Sequence, residues 1–250
     1  MPTSAQNATD FPGGAGAFRT TRWTMVIHAR QQHSADASAA LEQLCQIYWY
    51  PLYAFVRRQG HGPHDAQDLT QEFFARLLAK HQLDTVDRAK GRFRSFLLAS
   101  MKHFLANEWD RRNAQKRGGR QTHVPIDAQS AEERYRLEPA DTQSAEKIFE
   151  RRWALTLLDR VLELLKAEAE EAGKSAQFDQ LKVALTGDRL SVPYAELARR
   201  LEMTGGAVKV AVHRMRQRYR EALRAEIAHT VSDARAVDEE IRHLFAALAN

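Results

Sequence analysis

The sequence is poor in the residues that build cross-linked, membrane-spanning or metal-clustered proteins. Cys45 is the only cysteine, so an internal disulfide is impossible and a cysteine-rich zinc site is excluded. A reducing, cytoplasmic setting is the expected one. No apolar run approaches the roughly 20 residues that cross a bilayer, so no membrane partner is expected. The N-terminus has no basic segment followed by an apolar stretch, and no signal peptide is read there. The ten histidines never fall into HExxH spacing. No nucleophile elbow and no Gly-rich phosphate loop is visible. No segment alternates apolar and polar residues strongly enough for a sheet, and there is no long repeat. These absences argue against an enzyme, and no cofactor or metal is expected.

What is present is helix and charge. Hydrophobic residues make up 44% of the chain and charged residues 28%, a globular balance. The formal net charge is +5, but its distribution says more. Residues 88–120 hold ten Lys and Arg against two acids, Glu108 and Asp110. Residues 205–224 hold six against Glu221 alone. Two compact basic blocks in an otherwise balanced chain suit a protein that touches DNA at two places; solvated helix faces are the plainer reading.

The predicted architecture is all-α, with two helical domains joined by a flexible linker. Residues 1–20, rich in Ala, Gly, Ser, Thr and Pro, read as a flexible tail. Residues 21–117 read as a first helical domain. In it, Leu41, Leu44, Cys45, Tyr48, Leu52, Phe55 and Val56 keep helical spacing, and Pro51 is expected to kink or interrupt the helix. Residues 118–147 read as the linker, 148–228 as a second helical domain, and 229–250 as a helical extension. The extension carries Val237, Ile241, Leu244, Phe245 and Leu248 on one face, which predicts packing on the protein itself. Trp23 is expected to anchor an appended N-terminal element.

"GPHDAQDLTQEFFARLL", Gly62 to Leu78, predicts an amphipathic helix. Pro63 suits its first position and Asp65 its first turn. Ala66, Leu69, Phe73 and Leu77 form its buried stripe, widened by Phe74 and Leu78. Asp65, Asp68 and Glu72 make an acidic face that can solvate a surface, hold a metal or dock a basic partner. Metal sites usually draw ligands from several elements, which disfavours the second option. A further helix spans about Phe93 to Arg112, with Phe93, Leu97, Met101, Phe104 and Leu105 buried and His103, Asn107 and Arg111 on an adjoining face.

"SVPYAELARRLEMTGGAVKVAVHRMRQRYREAL", Ser191 to Leu223, predicts a helix-turn-helix. Ser191 can cap and Pro193 can start the first helix, with Leu197, Ala198 and Leu201 in its core. Thr204 is the expected N-cap of the second. Val208, Val212, Met215 and Tyr219 line that helix on one side; Lys209, His213, Arg216 and Arg220 line the other. A helix apolar on one face and basic on the other suits the major groove.

Taken together, these motifs resemble the sigma-70 family of transcription initiation factors. "DAQDLTQEFFARLL" is similar to the acidic helix of the family's region 2. "GRFRSFLLASMKHFLANEWDRRNAQKRG" is similar to the following helix, and Ser191 to Leu223 to region 4. Region 2, linker and region 4 without a middle domain is the layout of extracytoplasmic-function sigma factors. The resemblance spans about residues 25 to 228.

It implies a sigma factor that binds core RNA polymerase, at the β′ clamp and β flap, and promoter DNA. Asp65, Gln67, Asp68, Gln71 and Glu72 would be the polymerase-facing positions. Arg92, Arg94, Lys102, His103, Asn107 and Arg111 would meet the −10 element. Thr204, Lys209, His213, Arg214, Arg216 and Arg220 would meet the −35 element. The family's second acid is Gln67 here, and Thr70 stands where an apolar residue is usual. Subgroups of the family are linked to Ser/Thr protein kinases, which makes Thr70 a candidate phosphorylation site restoring the missing charge. An anti-sigma factor is a further implied partner. The competing expectation is a regulator that binds duplex operator DNA through the helix-turn-helix without joining the polymerase.

Overall fold

The structure, a computed structural model, describes residues 35–79, 92–114, 128–136, 143–186, 193–231 and 234–249. Every regular element among them is a helix. The first, α1, spans Ala35–Arg58. From Ile47 to Val56 it is buried on all sides, as suits a helix apolar around its whole circumference. Pro51 lies inside this run and does not end the helix. It costs one backbone hydrogen bond, but the large apolar side chains flanking it each gain about 1.5–3 kcal/mol on burial. The turn at Gly60, which has φ 94°, leads into α2, Pro63–Ala79. Ala66, Leu69, Phe73, Phe74 and Leu77 are buried there, the stripe expected from the spacing. Helix α3, Phe93–Ala114, buries Phe93, Leu97, Met101 and Phe104.

Inside the stretch expected as a linker, Ala128–Arg136 forms a short helix, α4. Ala131 is buried in the core. Glu132 accepts hydrogen bonds from Tyr53 (2.6 Å) and from Arg57 (2.9 and 3.1 Å), both on α1. A polar segment is held here by a fork of donors that only the folded chain assembles.

Helix α5, Ala145–Glu171, starts at an N-cap whose Ser144 hydroxyl accepts from the Lys147 N–H. Phe149, Trp153, Leu157, Val161 and Leu165 recur every fourth residue and are all buried. This stripe packs along α1, the most extensive helix pair among the described residues. Gly173, with φ 66°, turns the chain after it. Two short helices follow, α6 (Ser175–Leu181) and α7 (Val183–Thr186).

Helices α8 (Tyr194–Arg200) and α9 (Gly205–Ala228) pack on each other across a tight turn. Thr204 caps α9 as expected, its hydroxyl accepting from the Ala207 N–H at 3.2 Å. Pro193 occupies the cap position of α8 rather than its first turn, and the expected cap Ser191 lies outside the described residues. Glu202, in the turn, has φ 52°, a left-handed conformation that favours glycine. With Leu181 of α6 and Ala184 of α7, this pair forms a small core of its own through Leu197, Val208 and Val212.

The second half of α9 and the final helix α10, Ala234–Ala249, fold back on α5. Leu223, Ile227, Val237 and Leu244 join one apolar core with α1, α2, α3 and α5. The two expected helical bodies thus share a core, with the α8–α9 pair as a smaller satellite. The extension packs on the protein as expected, except that Phe245 is 56% exposed. Trp23 and the tail of residues 1–20 lie outside the described residues.

Candidate functional site

Three surfaces carry the residues singled out by sequence. The first is the outer face of α2. Asp65 is exposed and Gln67, Asp68 and Glu72 are half-buried. Glu72 pairs with Arg76 on the next turn of its own helix. Arg76 also reaches Glu108 on α3 at 2.8 Å and lies over the Phe104 ring, 5.0 Å from its centroid. Arg76 therefore neutralises one end of the acidic face and ties it to α3.

Two expected members of this face are turned inward. Gln71 is 7% exposed. Thr70 is fully buried, and its hydroxyl donates to the Ala66 carbonyl at 2.7 Å. The Thr70 hydroxyl is therefore not accessible on the acidic face, which corrects its expected place there. The reason is the width of the α2 contact. The apolar stripe is flanked on both sides, so the letters Thr and Gln fall within it. Among the described residues no group of three or more His, Cys, Asp or Glu could hold a metal ion.

The second surface is α3. Lys102, His103, Asn107 and Arg111 are exposed along it. Lys102 donates to Glu146 at the start of α5, at 2.7 Å. That hydrogen bond is the main reason the Glu146 carboxyl is held below its ordinary range. Arg111 lies 3.2 Å from Glu108. Beside them Trp109 stands 68% exposed. It rims a groove floored by Phe55 and Leu69 and edged by Gln59, His61 and Lys102. Sequence reasoning missed Trp109. Its position four residues after the stripe residue Leu105 puts it at the buried margin, and only the fold shows it outside. Phe93 is buried and Phe96 half-buried, so both belong to the packing.

Arg92 and Arg94, at the start of α3, are in a different situation. Arg94 is 3% exposed and Arg92 half-buried. Glu239 and Glu240 of α10, with Glu150 of α5, take up both guanidinium groups. Burial alone would lower the Arg94 pKa, but the hydrogen bonds and charge of Glu240 and the charge of Glu150 raise it. Both guanidinium groups are thus engaged by carboxylates of the protein itself, which differs from their expected place as open DNA contacts.

The third surface is α9. Lys209, His213, Arg214 and Arg220 are exposed along it, and Thr204 at its start is occupied as the cap. Arg216 is not free for a phosphate. It donates two hydrogen bonds to the Ala184 carbonyl, at 2.9 and 3.2 Å, and braces α7 against α9. Arg218 holds Glu168 of α5, and Arg224 holds Asp238 of α10 at 2.5 Å. Of the basic residues in this block, then, several work as internal struts. Arg214 edges an apolar groove between α5, α6 and α9, lined by Phe178, Met203, Val210 and Met215.

Residues 48–115, which run from the middle of α1 to the end of α3, match the family model described as sigma-70 region 2. No curated protein and no solved structure matches the chain.

Proposed function

We propose that this chain, whose residues 48–115 match sigma-70 region 2, is an alternative sigma factor of the extracytoplasmic-function layout. It binds core RNA polymerase and directs initiation at a particular set of promoters. The observation that carries this reading is that one matched segment contains both the acid-faced α2 and the basic, Trp-edged α3.

In this reading Asp65, Gln67, Asp68 and Glu72 meet a basic surface of the polymerase clamp. Such a charged face sets register and speeds encounter more than it adds affinity. Lys102, His103, Asn107 and Arg111 track the backbone of the opened −10 strand, and Trp109 offers a face on which an unstacked base can lie. Lys209, His213, Arg214 and Arg220 on α9 meet the −35 duplex, where basic side chains fix position on the phosphates and read base edges. A Thr70 phosphate fits the scheme in one form only. It would have to be added after α2 turns or leaves its neighbours, and would then hold α2 open, because a dianion has no place in the apolar stripe.

The test is run-off transcription with purified core polymerase on a promoter library, with polymerase alone as control. A sigma factor yields discrete products that depend on this protein. A regulator of the operator-binding kind binds duplex DNA and yields none.

A further inference from the structure

The carboxylates of α10 sit on the two arginines that open α3. Arg94 Nε donates to Glu240 Oε1 at 2.5 Å and its Nη2 to Oε2 at 3.3 Å, a two-pronged grip. Arg92 reaches the same carboxylate at 2.9 Å and Glu239 at 3.2 Å. Glu150 of α5 takes the remaining Nη1 of Arg94, and His243 of α10 meets Glu150 at 3.2 Å. The Trp153 ring lies under the Arg94 guanidinium, 4.9 Å away. The Phe93 N–H reaches the Thr230 carbonyl at 3.4 Å, so the turn after α9 also touches this corner.

We propose that Arg92 and Arg94 form a phosphate-binding pair for the promoter strand, and that Glu239 and Glu240 occupy it in the free chain. Helix α10 is then a detachable cap that stands in for nucleic acid. The inference rests on the reading of α3 as a DNA-facing helix.

Three observations carry it. A guanidinium fork grips carboxylate and phosphate in the same bidentate geometry, so two adjacent acids are a close chemical substitute for a phosphodiester. The two arginines stand at the start of the same helix whose later turns expose Lys102, His103, Asn107 and Arg111. The apolar contact of α10 is incomplete: of its five expected buried residues, Val237 and Leu244 are buried, Ile241 and Leu248 are half-buried against the core and Phe245 is exposed. Ion pairs to Arg92, Arg94 and Arg224 act beside this apolar contact in holding α10. Exchanging carboxylate for phosphate conserves those bonds, whereas releasing α10 into water without a replacement removes two of the three carboxylates around Arg92 and Arg94 and leaves Glu150 alone on Arg94.

The experiment measures binding of a fluorescein-labelled single-stranded oligonucleotide by anisotropy, across a salt series, for the parent, Glu239→Gln and the Glu239→Gln/Glu240→Gln pair. The proposal predicts about threefold tighter binding for the single variant and about tenfold for the pair. It also predicts a steeper salt dependence, by about one to two released counterions. Adding Arg92→Ala to the pair should take back part of the gain. Unchanged affinity and salt slope in folded variants overturn the cap and leave a structural ion-pair cluster. If the double variant unfolds, Glu239→Gln alone decides, since Glu239 is 58% exposed and bears little on the core. The same proteins are then mixed with core polymerase. Association with flat DNA binding sinks the cap alone; no association by any of them sinks the sigma reading.

Discussion

The hydroxyl of Thr70 donates to the carbonyl of Ala66, one turn back, at 2.7 Å, and the whole residue is shut off from solvent. A threonine in a helix often bonds its own backbone in this way. Here the bond disposes of the one polar group that would otherwise be stranded in the core. The Ala66 carbonyl already has its helical partner, so the hydroxyl satisfies itself more than it supports the helix.

It follows that Thr70→Val should change stability by no more than about 1 kcal/mol, because shape is kept and one modest hydrogen bond is lost. Thr70→Glu should cost more than about 3 kcal/mol, since it forces a charge and extra volume into the stripe. Urea unfolding of the two variants checks this. A Thr70→Glu protein as stable as the parent would show that α2 turns this position outward.

That contrast shows what the sequence made legible. The stripe of Ala66, Leu69, Phe73 and Leu77 was readable because period and polarity agree. Thr70 and Gln71 were not, because periodicity locates an apolar face without giving its width. Likewise Tyr48, Leu52, Phe55 and Val56 were expected inside, but the burial of α1 all round depends on α5, about a hundred residues later. Arg92 and Arg94 were expected as DNA contacts because the resemblance places them at the head of a basic, DNA-facing helix. Nothing local says that Glu240, 146 residues further on, will fold onto Arg94. The helical extension was legible as amphipathic, but its acidic edge gained meaning only from what it touches.

The docking of α4 should be acid-sensitive. Burial pushes the Glu132 carboxyl up, but hydrogen bonds from Arg57 and Tyr53 and the positive charge of Arg57 outweigh it, and the carboxyl stays below its usual range. A depressed carboxyl contributes stability that is present above its unfolded-state value, about 4.3, and lost as pH falls through the folded one. Glu132→Gln should therefore cost about 2 kcal/mol at pH 7, with the gap to the parent closing below about pH 4. Paired urea titrations at pH 7 and pH 3.5 measure the gap; a constant difference would mean that the charge of Glu132 is irrelevant to the docking.

Trp109, at 68% exposure, buries little in the free protein. Trp109→Ala should leave the thermal midpoint within about 2 °C of the parent's. In the polymerase complex it should weaken capture of a single-stranded −10 segment by roughly 1–3 kcal/mol, the usual worth of a base stacked on an aromatic ring. Retained capture would remove Trp109 from the strand-binding surface, and a large loss of stability would return it to the core.

The central claim is that α2 seats this protein on the polymerase through its acidic face, and the most direct measurement is affinity for core polymerase after charge reversal there. Asp68→Lys with Glu72→Lys removes two negative charges and places two positive ones on a half-buried edge whose own ion pair, Glu72 to Arg76, is worth about 0.5 kcal/mol. The account predicts an unchanged helical spectrum, a small drop in melting temperature and a loss of affinity greater than about thirtyfold. A folded double variant that binds core polymerase as tightly as the parent would contradict it.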